Sequence, residues 1–207
     1  VEQWNGTSWN VVTSPNLGSN SILESVTQVP GSSNLWAVGS YLNSGTGTQT
    51  LIEQWNGTSW SIVSSPNVGS VSNTLISVAA SSANDVWAVG EYLNEGGYVK
   101  LTLIEHWNGS QWSFVPSPKG DGFLSGVAAV PGSNKMWAVG YYLNTAGNYE
   151  TLIELWNGTR WSGVVSPDAS SYVNYLYNVT AVPGSTSMWA VGAYASDSGK
   201  TLTEHFS

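Results

Sequence analysis

The sequence of 207 residues has no cysteine and few charged residues. The absence of cysteine excludes disulfide bonds, thiolate nucleophiles and thiolate metal ligands. Five Lys and Arg stand against 13 Asp and Glu, and the formal net charge is −8. Because no basic patch is available to neutralise phosphates, we expect neither nucleic acid nor an anionic membrane as a partner. No cofactor is indicated.

Long hydrophobic runs are also missing. No apolar run approaches the roughly 18 residues that a membrane-spanning helix needs, so we expect no membrane insertion. Hydrophobic residues still make up 41% of the chain and aromatic residues 12%, which is enough for a packed core. The low charged fraction, 9%, combined with abundant Gly, Ser, Thr and Asn, favours a secreted or cell-surface protein.

Tryptophan recurs in a fixed pattern with a period of about 50 residues. The string W-A-V-G begins at Trp36, Trp87, Trp137 and Trp189. A second string, W-N-G-T-S-W, occupies residues 55–60 and returns with small changes from Trp4, Trp107 and Trp156. Three repeat positions therefore account for all 12 tryptophans. Self-similarity at a fixed period indicates a repeat architecture.

Each repeat has the short apolar period of β-strands. In one copy, residues 75–80, 86–92, 101–107 and 112–115 are rich in β-branched and aromatic types. No segment sustains a 3.6-residue period, so we expect no helix. One four-stranded unit cannot bury both of its faces. The pattern predicts an all-β protein, a single β-propeller domain over residues 1–207, with repeats at approximately 22–66, 75–118, 124–167, and 176–207 plus 1–15.

The unit resembles the kelch repeat over essentially the whole chain. A small-residue turn in the second strand (Val38-Gly39), an aromatic that closes the third strand (Trp55) and a Trp that opens the fourth (Trp60) match its layout. Kelch units have a Gly-Gly doublet and a Tyr where this sequence has Val-Gly and Trp. The resemblance therefore implies a kelch-like propeller of bacterial type, and the adaptor function of the eukaryotic family does not transfer.

The two ends of the chain hold the same repeat position. Residues 1–5 and 203–207 both correspond to a third strand, so one of them is redundant in a closed ring of four blades. Three alternatives follow. In the first, residues 9–13 complete the last blade beside residues 201–206. In the second, two chains form one eight-bladed ring or exchange terminal strands. In the third, the chain, which opens inside a repeat, is an excerpt of a longer protein.

The W-N-G-T-S-W string suggests both a turn and a modification site. Asn-Gly between two strands predicts a type I′ hairpin turn. The same asparagines begin N-x-S/T sequons, which makes them glycosylation candidates in a glycosylating host. These candidates are Asn5, Asn56, Asn108 and Asn157.

A glutamate recurs in each third strand, at Glu2, Glu53, Glu105, Glu154 and Glu204. A ring of carboxylates could bind Ca²⁺, but one carboxylate per blade is widely spaced and no Asp-rich loop has calcium-binding spacing. We therefore expect these residues to pair with a backbone or indole N–H, and we expect no metal site.

The sequence gives little support for catalysis. His106 and His205 share a repeat position where other copies have Gln or Leu. Neither is placed as a general base, and no nucleophile has an evident partner. We expect a non-enzymatic protein, with an unrecognised propeller hydrolase as the alternative.

The loops that connect second to third strands, and fourth to first strands, vary from copy to copy and share one face. Variable loops on a regular scaffold are typical of binding modules. The residues predicted to bind a ligand there are Tyr98, Phe123, Tyr149, Tyr172, Tyr175, Asp121 and Asp168. We therefore predict an extracellular or cell-surface module that binds a glycan or a protein. The alternative is a structural subunit of a surface layer or filament that self-associates through its terminal strands.

Overall fold

The computed structural model describes residues 1–97, 99–195 and 198–206. Every regular element in these residues is a β-strand, as the absence of a helical period predicts, and no helix among them could cross a membrane. The chain begins with β1 (Glu2–Trp4) and β2 (Trp9–Val11). Unit 1 contains β3 (Ser19–Gln28), β4 (Leu35–Asn43), β5 (Gly47–Trp55) and β6 (Trp60–Ile62).

The remaining strands repeat this arrangement. Unit 2 contains β7 (Ser72–Ser82), β8 (Asp85–Leu93), β9 (Leu101–Trp107) and β10 (Trp112–Phe114). Unit 3 contains β11 (Phe123–Ala129), β12 (Met136–Leu143), β13 (Tyr149–Trp156) and β14 (Trp161–Gly163). Unit 4 contains β15 (Val173–Ala181), β16 (Met188–Ala195) and β17 (Gly199–Phe206).

Within each unit, consecutive strands pair antiparallel. Single parallel bridges, Thr48 to Ser72 and Tyr149 to Val173, join the third strand of one unit to the first strand of the next. The result is one sheet of eight strands, one of seven, and the separate β1–β2 hairpin.

The glycine of W-A-V-G lies where the first and second strands approach most closely. Gly90 pairs with Leu75, beside a register shift between Leu75 and Ser77. A Cβ atom on Gly90 would overlap the carbonyl oxygen of Thr74, and the equivalent glycines of the other units meet the same obstacle. Only glycine allows this backbone contact.

The outer hairpin turn differs from the type I′ prediction. Trp55 pairs with Trp60, and the N–H of Asn56 donates to the carbonyl of Ser59 at 3.2 Å. The loop therefore has four residues, and only Gly57 has a positive φ, at 98°. The Asn56 side-chain oxygen accepts the N–H of Thr58 and of Ser59, which fixes the turn without a left-handed asparagine.

Three hydrophobic clusters form the core, one at each junction between successive units. At every junction the valine of W-A-V-G lies in the same hydrophobic cluster as a valine from the first strand of the next unit. These pairs are Val38 with Val78, Val89 with Val127, and Val139 with Val179. The core thus lies between sheets that pack face to face, as stacked sheets require.

The described strands do not close into a ring. Trp9–Val11 pairs with β1, and no strand pairs with the outer side of β17 in the described residues, so the first alternative for ring closure is not the observed one. Consequently Trp4, Trp9 and Trp189 are exposed, whereas Trp36 and Trp87 are fully buried.

Candidate functional site

Five aromatic rings lie together at the junction of units 3 and 4. The Tyr141 ring stacks on Phe123 with centroids 5.2 Å apart, and it meets Tyr175 edge-on at 4.5 Å. Tyr149 lies 5.2 Å from Tyr175, and Tyr177 lies 6.2 Å from Tyr175. We refer to Phe123, Tyr141, Tyr149, Tyr175 and Tyr177 as the aromatic cluster.

Strand geometry explains how these rings meet. Alternate residues of a strand share a face, so Tyr141 lies on the same face of β12 as Trp137 and Val139, which contact unit 4. Tyr149 begins β13, and Tyr175 lies near the start of β15. The cluster therefore lies at the strand ends next to the variable loops.

The cluster borders a shallow cleft of about 170 Å³ that is also lined by Lys100 and Gly122. The Lys100 ammonium lies 5.0 Å from the centre of the Phe123 ring and pairs with Glu91 at 2.7 Å. Burial raises the pKa of the Tyr141 and Tyr175 phenols above their ordinary value. Both hydroxyls are therefore neutral hydrogen-bond donors at physiological pH.

Polar groups flank the aromatic cluster. The Tyr142 hydroxyl donates to Glu150, whose other oxygen accepts the Asn144 amide at 2.6 Å. The hydrogen bond to Glu150 is the main cause that raises the pKa of Tyr142 to about 12, and the same bond lowers the pKa of Glu150. The Lys119 ammonium lies 3.7 Å from the centre of the Tyr142 ring. Lys100 and Lys119 thus each lie against an aromatic ring, and Glu150 binds Tyr142 on the sheet face opposite to that of Tyr141 and Tyr149.

The residues predicted to bind a ligand divide into groups. Phe123, Tyr149 and Tyr175 come together in the cluster. Tyr172 has a 63% exposed side chain, and its carbonyl accepts the N–H of Tyr149 at 3.0 Å.

The other predicted residues lie outside the ring contacts. Asp121 lies 3.9 Å from the Lys119 ammonium. Asp168 accepts the Thr151 N–H and hydroxyl at 3.0 and 3.2 Å, so it attaches its loop to β13. Tyr98 lies outside the described residues.

Sequence reasoning missed Tyr141, Tyr177 and Lys100. Tyr141 was assigned to a regular strand, yet the matching positions of units 1, 2 and 4 hold Ser40, Glu91 and Ala193. A residue that differs from its counterparts in the other repeats is not required by the packing that all repeats share. The difference between Tyr141 and its counterparts was therefore the signal in the sequence that could have identified it.

The recurring glutamates serve the junctions between units. Glu53, Glu154 and Glu204 each accept a hydroxyl hydrogen bond of 2.6 Å from a serine that precedes their unit, namely Ser14, Ser117 and Ser166. The predicted N–H pairing occurs at Glu154, which also accepts the Lys119 N–H at 3.3 Å. No group of three potential metal ligands occurs in the described residues.

At the strand ends opposite to the aromatic cluster, one histidine has an acidic partner. His106 Nε2 lies 2.7 Å from Asp85 Oδ1, and its ring stacks on Trp87 with centroids 4.1 Å apart. Asp85 also accepts the Trp87 indole N–H at 2.8 Å and the Ser81 hydroxyl. These hydrogen bonds outweigh burial and lower the pKa of Asp85. The hydrogen bond with Asp85 and the stack on Trp87 thus hold the imidazole in place within unit 2.

No family model and no curated protein match the sequence. Among solved structures, the sialidase of Trypanosoma rangeli matches with a TM-score of 0.53 at 12% identity, over 99% of this chain and 38% of the sialidase chain. The same sialidase in complex with the inhibitor DANA matches over 98% of this chain and 38% of that chain, again at 12% identity and a TM-score of 0.53.

A fucose lectin from Kordia zhangzhouensis, in complex with methyl-fucoside, matches with a TM-score of 0.46 at 13% identity, over 70% of this chain and 99% of the lectin. The sialidase has a β-propeller fold. The chain is thus an all-β protein that resembles propeller folds, and it spans less than half of the sialidase.

Proposed function

We propose that the protein is a non-catalytic, kelch-like propeller module at the cell surface or in the extracellular medium, and that it binds a glycan through the aromatic cluster. Its four repeats act as four blades, and the variable-loop face holds the ligand. The observation that supports this proposal is the contact of four tyrosines and one phenylalanine at one junction of the scaffold.

The chemistry of the cluster suits a neutral sugar. Aromatic faces pack against the apolar faces of a pyranose ring, and tyrosine adds a hydroxyl that can pair with a sugar hydroxyl. The phenols of Tyr141 and Tyr175 are neutral at physiological pH. With a net charge of −8, the protein favours uncharged glycans over sialylated or sulfated ones.

A comparison of three variants on a glycan array tests the proposal. Tyr149→Ala and Tyr175→Ala remove rings from the cluster, and we expect each to weaken binding of retained glycans at least tenfold. Tyr41→Ala is the matched control, because Tyr41 lies in unit 1 and bonds only to Gln49 in the described residues, at 2.6 Å. Titration of the tryptophan fluorescence with the best glycan gives the affinities.

Unchanged affinity in both cluster variants, with the melting temperature of the wild type, would contradict the glycan site. Tyr172→Ala adds a variant that leaves the packing between units intact, because its side chain is exposed. We expect it to weaken binding less than Tyr175→Ala does. If the protein retains no glycan on the array but captures a purified surface protein through the cluster, the partner is a protein and the glycan proposal is wrong.

We also propose that the outer turns accept glycans in a glycosylating host. Each sequon asparagine lies in an exposed turn, and its side-chain oxygen accepts the N–H two residues later at 2.9 Å. Expression in a eukaryotic secretory host should give a mass that falls on treatment with an N-glycosidase. The quadruple Asn→Gln variant at these sites should lose this change.

A further inference from the structure

The first and last units expose two halves of an interface that the chain already forms three times. At each inner junction, the valine of W-A-V-G and the valine of the next first strand are both at most 5% exposed. Val191 of unit 4 and Val26 of unit 1 hold the same two positions. They are 48% and 61% exposed, because neither has a neighbouring unit.

The W-A-V-G tryptophans are likewise covered at inner junctions and exposed in unit 4. The Trp36 ring of unit 1 lies 4.9 and 5.3 Å from the rings of Trp107 and Trp112 in unit 2. Trp87 makes the equivalent contacts with unit 3, at 4.6 and 5.2 Å. Trp189, which continues this series, is 45% exposed.

Unit 1 holds a tryptophan pair of the kind that Trp36 and Trp87 contact. The Trp55 and Trp60 rings lie 5.6 Å apart, close to the 6.1 and 6.0 Å of the pairs in units 2 and 3. In the described residues, no W-A-V-G tryptophan stacks on this pair. The pair is therefore preformed for the contact that Trp189 lacks.

We propose that the exposed face of unit 4 binds the exposed face of unit 1 of a second copy, so that chains associate head to tail. A second copy is the partner that fits, because its unit 1 presents to unit 4 the same kind of face that units 2, 3 and 4 present to the units before them. Within one chain, no strand of unit 4 pairs with unit 1 or with β2 in the described residues, and Val26 and Val191 both remain exposed. Such a contact is heterologous and uses different surfaces on the two partners.

The N-terminal hairpin has the repeat position of the last two strands of a preceding unit. Ser14, three residues after β2, donates to Glu53 at 2.6 Å, just as Ser117, three residues after β10, donates to Glu154. Because β1 and the end of β17 hold the same repeat position, β17 of one copy can replace β1 beside β2 of the next. Strand β2 then supplies the fourth strand that unit 4 lacks.

The polar character of the face indicates a reversible contact. Thr203 stands where the inner junctions have Ile52, Ile104 and Ile153. Replacing isoleucine by threonine reduces the apolar area that association removes from water. We therefore expect the assembly to depend on protein concentration.

Two single substitutions and their mixture test the proposal by light scattering across a concentration series. Val26→Glu disrupts only the unit 1 face, and Val191→Glu disrupts only the unit 4 face. Each variant alone should have the mass of one chain, whereas an equimolar mixture should reach the mass of two chains, since each variant retains one intact face. Val165→Glu is the matched control, because that valine is 98% exposed and away from both faces. It should assemble like the wild type.

Circular dichroism confirms that each variant is folded, and Val26→Ser and Val191→Ser replace any glutamate variant that is not. The proposal is overturned if the wild type keeps the mass of one chain at all concentrations, as a chain that closes on itself would. It is equally overturned if the mixture remains at the mass of one chain. None of these readouts depends on the glycan, so failure here leaves the glycan proposal intact.

Discussion

The Ser117 hydroxyl donates a hydrogen bond of 2.6 Å to the Glu154 carboxyl across the junction between units 2 and 3. Glu154 is fully buried, and burial raises its pKa from 4.5 to about 7 despite this bond and the Lys119 N–H. The folded protein therefore holds a proton that the unfolded chain releases in the window between these two values.

Glu154→Gln should weaken the dependence of stability on pH. As the pH rises from 5 to 8, the wild type loses the stability that the retained proton provides, on the order of 2–3 kcal/mol from this one group. The variant has no proton to lose at this site, so its free energy of unfolding should fall less over the same range. Urea unfolding at pH 5 and pH 8 measures both proteins. Equal slopes would show that Glu154 titrates normally.

Glu105→Met should stabilise the protein at pH 8. Neither carboxyl oxygen of Glu105 has a hydrogen-bond partner in the described residues, and burial raises its pKa well above the ordinary value. Removing an unpaired buried acid should gain about 1–3 kcal/mol. Glu154→Met is the control, and it should gain less because it removes the hydrogen bonds that Glu154 accepts from the Ser117 hydroxyl and the Lys119 N–H. A lower melting temperature for Glu105→Met than for the wild type would contradict this account.

Gly90→Ala should destabilise the protein by about 2 kcal/mol or more, since the new Cβ would force the first strand of unit 2 away from the second. Gly163→Ala is the matched control in β14, where a Cβ meets no atom within 4 Å. That variant should unfold at the urea concentration of the wild type or slightly above it. If both glycine variants behave alike, the W-A-V-G glycine is not required by packing.

Trp87→Ala and Trp189→Ala should differ although both residues hold the same repeat position. Trp87 is fully buried between units 2 and 3, and its loss should cost about 3–5 kcal/mol. Trp189 is half exposed, so its loss should cost the single chain less than about 1 kcal/mol. Urea unfolding at low protein concentration, where association is minimal, compares the two. Similar costs would mean that unit 4 is covered in solution.

Prediction from the sequence was most successful where the repeat constrains a residue. The spacing of tryptophan and the two-residue period predicted an all-β chain. The repeat could not predict Tyr141, because the rings that meet it come from both units 3 and 4 and from strands distant in sequence. The kelch assignment and the number of blades stay predictions.

By itself the sequence determined the unit: short strands with a two-residue period, turns of small residues between them, and apolar residues on both sheet faces. It did so because each of these features depends on neighbours a few residues away. Only the tertiary structure decided which face of each unit is covered. Burial depends on the next unit being present, so Val89 and Val191, identical in repeat position, are buried and exposed respectively.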